Sequence, residues 1–140
     1  MPPWVRRTRW LAAWLLGAYF AKMYVSMGWV KFDPNGFWTA AFERWGYPPW
    51  FRMVIGVLEV GGGICLVIPW LASYGGLVLS VVMLGAWATR AHDGRWVDVS
   101  WISAYLLGLI WISAEFWSLR LRPRRITVPS PTATTERGAR

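Results

Sequence analysis

The chain has 140 residues, is 56% hydrophobic with 13 Trp, and has a mean hydropathy of +0.33, above the roughly 45 to 50% apolar content of soluble domains. That excess points to one membrane domain, and the lack of alternating ten-residue segments points to helices rather than a β-barrel. The net charge of +8 comes from 15 Lys and Arg set mostly at the chain ends beside apolar runs, a distribution that orients a membrane protein and excludes a nucleic-acid-reading face.

The first apolar run, Trp10 to Phe32, is interrupted only by Lys22 and Lys31. It exceeds the roughly 20 residues needed to cross about 30 Å of hydrocarbon. Arg6, Arg7 and Arg9 before it resemble a signal-peptide n-region, but no small-residue cleavage site follows, so an uncleaved first span is expected. The connection from Asp33 to Trp50 is expected to hold a short helix that begins after Pro34 and ends before Gly46. Phe37, Trp38, Ala41, Phe42 and Trp45 share one side of it, which predicts a helix lying flat in the outer interface. Trp29, Trp38, Trp45, Tyr47, Trp50, Trp96 and Trp101 would then form the outer aromatic belt.

A second span, Phe51 to Ile68, is stopped by Pro69, and a third runs from Ala72 to about Thr89, the two forming a tight hairpin. The fourth, Trp101 to Leu119, runs into a basic cluster. The expected fold is all-α, a polytopic four-transmembrane-helix antiparallel bundle over residues 10–119 with a short interfacial helix in the first extracytoplasmic loop. Residues 1–9 form a cytoplasmic N-terminus and residues 120–140 a basic, disordered cytoplasmic tail. Arg6, Arg7, Arg9, Arg120, Arg122, Arg124 and Arg125 on one side outnumber Lys31, Arg44, Arg52, Arg90 and Arg95 on the other, so both termini are expected in the cytoplasm.

Glu59 stands in the middle of the second span. At about 1.5 Å per residue it lies roughly 18 Å above the inner boundary, and Lys22 on the first span comes out at about the same depth. An isolated charge there costs about 2.5 kcal/mol or more, so a buried Lys22–Glu59 ion pair is expected. Gly56 and Gly63 flank Glu59 on one face, where small residues admit a neighbouring helix, and Gly17 with Ala21 and Gly76 with Ser80 repeat that spacing. Glu115, nearer the cytoplasmic boundary, can snorkel toward the Arg cluster. At the outer mouth Lys31, Asp33, Arg52, Arg90, His92, Asp93 and Asp98 come from four helix ends. One His without Cys partners gives no metal site, and Cys65 alone excludes thiol–disulfide exchange within the chain.

The successive stretches GWVKFDP, WGYPPWF, IGVLEVGGG and VMLGAWAT resemble the signatures of the DoxX family of small bacterial membrane proteins. Gly28, Lys31, Asp33 and Pro34 match one motif and Gly56, Glu59 and Gly62 another; Lys22 belongs to neither. The resemblance covers about Trp10 to Leu119 and implies a four-helix protein of the bacterial inner membrane, with some members associated with quinone-linked oxidation or membrane oxidoreductase assemblies.

The leading expectation is an accessory subunit that binds an apolar ligand, a quinone first of all, near the outer mouth. Trp29, Trp50 and Trp87 would supply apolar walls, and Lys31, Arg52 and His92 hydrogen-bond donors. Its partners would be the bilayer and the other subunits of an oxidoreductase; no cofactor motif is visible, so electrons would come from such a partner. An alternative is a membrane isomerase or cyclase with Glu59 as catalytic general acid, which requires a cavity reaching Glu59. A second alternative is a purely structural subunit of a larger complex.

Overall fold

A computed structural model describes residues 2–120. The expected tail, with Arg122, Arg124 and Arg125, lies outside the described residues. Helix α1, Pro3–Trp29, tightens into a 3-10 turn at Val30–Phe32 and is followed by α2, Phe37–Arg44, α3, Pro49–Val67, α4, Ala72–His92, and α5, Trp96–Arg120.

The helix boundaries follow from local chemistry. Pro3 and Pro49 open α1 and α3 at first-turn positions, where the missing N–H costs no intrahelical bond. Pro69 holds Ile68 extended and ends α3. Helices α2 and α4 stop in the same way: Gly46 and Gly94 have φ of 75° and 71°. Each such glycine donates back into the last turn while the next residue reaches one carbonyl further, Tyr47 to Phe42 at 3.0 Å and Arg95 to Arg90 at 3.0 Å. Only a residue without a Cβ takes that left-handed conformation at no steric cost.

The four long helices alternate in direction. Along α1 and α3 the close approaches run from Gly28 beside Gly56 to Gly63 beside Ala21 and Gly17 beside Leu66, so the pair is antiparallel. Gly62 and Gly75 bring α3 onto α4, and Gly76 brings α4 onto Ser113 of α5. Phe20 of α1 packs over Gly108 of α5 and edge-on to Tyr105 at 5.8 Å, closing the ring around a core that includes Tyr24, Leu66, Leu79, Leu109 and Ile112. At the end away from α2, Arg9 and Glu115 join α1 to α5 at 2.5 Å.

Among the described residues, three helices are long and apolar enough to cross a membrane: Pro49–Val67, Ala72–His92 and Trp96–Ser118. The sequence predicts four spans. Helix α1 is the longest of all but carries Arg6, Arg7, Arg9 and Lys22 and is not among the three. The short helix of the first loop is present, but its apolar side is not spread on a surface: Ala41 and Phe42 are buried, and Trp38, Phe42 and Trp45 face a cavity between the long helices.

Candidate functional site

Gly28 and Gly56 set the geometry of the site. A Cβ on Gly28 would stand 2.8 Å from the Gly56 carbonyl oxygen and 3.0 Å from the Glu59 Cβ, so only bare backbone permits this approach of α1 to α3. It leaves Lys31 level with Gly56, one turn closer to the mouth than Glu59. Side chains on a helix lean toward its N-terminus. On antiparallel helices Lys31 therefore leans inward and Glu59 outward, and they meet, Nζ donating to Oε2 at 2.5 Å with each side chain only 5% exposed.

The expected Lys22–Glu59 pair is not formed. Lys22 lies on the outward side of α1, exposed, while Ala13, Gly17, Ala21, Tyr24 and Gly28 make the buried stripe facing α3 and the core. Equal depth does not put two residues on facing sides of their helices. The second basic group expected at the ligand, Arg52, is buried, but its guanidinium donates to the backbone carbonyls of Lys31 and Asp33, the latter at 3.0 Å. These carbonyls close the first helix and its 3-10 turn, where no intrahelical donor remains, and a cation there also complements the helix dipole. Arg52 thus fixes the backbone that presents Lys31.

A cavity of about 740 Å³ lies against the Lys31–Glu59 pair, within the range of sites that take drug-sized apolar ligands. Met23, Tyr24 and Met27 line it from α1, Met83 from α4, and Ile102 and Tyr105 from α5, with the α2 aromatics across the mouth. Lys31 Nζ also sits 4.3 Å from the ring centre of Trp38, a cation–π contact that holds α2 over the pair. The outer edge is fastened by Trp45 donating to Asp93 at 2.6 Å, Tyr47 bonded to Thr89 at 3.0 Å, and Arg90 and Arg95 both on Asp98 at 3.1 and 2.8 Å.

Of the expected ligand residues, Lys31 and Glu59 line this cavity and the rest do not. His92 is exposed in the last turn of α4, and Trp29 and Trp50 are 71% and 65% exposed. Trp87 donates to Ser103 at 3.2 Å between α4 and α5. Four members of the expected belt, Trp38, Trp45, Tyr47 and Trp101, line the cavity. The residues that sequence reasoning passed over are Tyr24 and Tyr105. Tyr24 precedes Gly28 by four and Lys31 by seven, one face of one helix, which is the signal that would have found it.

The sequence model of the DoxX-like family matches residues 15–113. The chain belongs to the DoxX-like family. No curated protein and no solved structure matches it. In this DoxX-like membrane protein the two motifs read from the sequence are two sides of one joint: the glycines bring α1 and α3 together, and the charged residues pair across the contact.

Proposed function

We propose that this DoxX-like protein is an accessory subunit of a membrane oxidoreductase system that holds an apolar ligand, a quinone first of all, between its helices. The carrying observation is the cavity of about 740 Å³ whose mostly apolar walls are broken by the buried Lys31–Glu59 pair. Apolar walls with a few placed polar groups suit a ring-and-tail ligand entering from lipid. Electrons for its reduction come from a partner subunit. In this reading α1 is the fourth crossing and both termini are cytoplasmic, in the bacterial inner membrane.

The test is purification in a mild detergent followed by solvent extraction and mass spectrometry of the bound lipids. Stoichiometric quinone is expected; no copurifying quinone, together with no binding of an added short-chain quinone, would rule the reading out. The isomerase or cyclase alternative draws on one observation, that the cavity reaches Glu59. Against it, Oε2 of that carboxyl is engaged by Lys31 at 2.5 Å.

A further inference from the structure

Any ligand oxygen that enters the cavity needs a donor with capacity to spare. Lys31 has little: its ammonium faces Glu59 at 2.5 Å, the Met27 carbonyl at 3.4 Å and the Trp38 ring at 4.3 Å. Arg90 and Arg95 are committed to Asp98, and Tyr47 to Thr89. Tyr24 differs. It is 2% exposed, it lines the cavity, and its hydroxyl has no hydrogen-bond partner among the described residues. The other such hydroxyl, Ser73, begins α4 at the far end and does not line the cavity.

A buried hydroxyl left unbonded is destabilising, because it has given up its water partners for nothing. Phe in the same place would pack the same ring without that cost. We infer that Tyr24 is a specificity-determining donor of the site, its O–H donating to a carbonyl oxygen of the apolar ligand, so that the cavity selects quinone-like carbonyl compounds over hydrocarbons of the same shape. The inference rests on the ligand-binding reading above and adds to it the atom that recognises the ligand. Lys31 and Glu59 then act as a fixed polar wall beside the ring.

The experiment compares duroquinone with durene, which carries the same four methyl groups on a ring without carbonyls, using the full-length protein and Tyr24→Phe in lipid nanodiscs. Binding is read by equilibrium dialysis against protein-free discs. The parent is expected to favour duroquinone. Tyr24→Phe is expected to weaken duroquinone about tenfold and leave durene unchanged, the effect of one hydrogen bond. The carbonyl stretch of bound duroquinone should be lowered in the parent and not in the variant. Without ligand, Tyr24→Phe should unfold at the parent's temperature or above it. Equal weakening of both compounds, unaltered duroquinone binding, or a variant that fails to fold would each overturn the role of Tyr24 while leaving the cavity reading intact. If neither compound binds the parent, the cavity reading falls and this inference with it.

Discussion

Lys31 and Glu59 each keep only 5% of the side chain exposed, so removing either one leaves the other buried and uncompensated, at a cost of about 3 to 5 kcal/mol. Lys31→Met and Glu59→Ala are each expected to destabilise the protein by that order, read as a lower thermal unfolding midpoint in detergent. The double variant Lys31→Met/Glu59→Leu should recover most of the loss, because it leaves no orphaned charge. Lys22→Met is expected to leave the midpoint unchanged, since Lys22 is exposed. Equal losses for the two lysine variants would contradict the pairing. Glu59 itself was legible in the sequence, as a lone carboxylate in an apolar run among small residues. Its partner was not, because depth arithmetic treats side chains as points on the axis. Residues at equal depth on antiparallel helices lean apart, whereas a Lys one turn nearer the mouth leans toward the Glu.

At the scale of the helices, bare backbone sets the spacing of α1 and α3. A methyl group at Gly28 would meet both the Gly56 carbonyl oxygen and Val60 Cγ2 at 2.8 Å, whereas one at Gly61 would meet nothing within 4 Å. Gly28→Ala is therefore expected to cost about 1 to 3 kcal/mol, the range for overpacking a close contact. If the cavity holds a quinone as proposed, the same change should weaken its retention by pulling Lys31 from Glu59. Gly61→Ala, on the same pair of helices, should be neutral or slightly stabilising. Thermal midpoints and copurified quinone for the two variants check this, and equal behaviour would show that the close approach is not needed. Small residues and helix stops were readable from the sequence because each is a local requirement, Gly46 ending α2 being the plainest case. The direction of α2's apolar side was not. Helical spacing says that Trp38, Phe42 and Trp45 share a face, and a lipid surface and a cavity lined by Met and Phe satisfy that face equally.

For the molecule as a whole, composition and packing pull in opposite directions on whether α1 crosses with the other three. By composition it is the least suited, with Arg6, Arg7, Arg9 and Lys22 along its length. Packing argues otherwise. It lies antiparallel along α3 from Gly28 beside Gly56 to Gly17 beside Leu66, and Arg9 at its start reaches Glu115 near the end of α5. The start of α1, the Pro69 turn and the end of α5 thus share one end of the bundle; α2 and the α4–α5 turn share the other. If α3, α4 and α5 cross, α1 can follow α3 only by crossing too, which puts Arg7 and Glu43 on opposite sides of the membrane. Both are exposed, so each can be replaced by Cys on a Cys65→Ser background and probed with a membrane-impermeant maleimide. Position 43 should label in intact cells and position 7 only after permeabilisation, because seven Lys and Arg against five favour a cytoplasmic N-terminus. The reverse order would keep four crossings and invert the protein. Labelling of both positions from the same side would mean that α1 does not cross, and the cavity it shares with α3 and α5 would then have to be reached from water rather than from lipid.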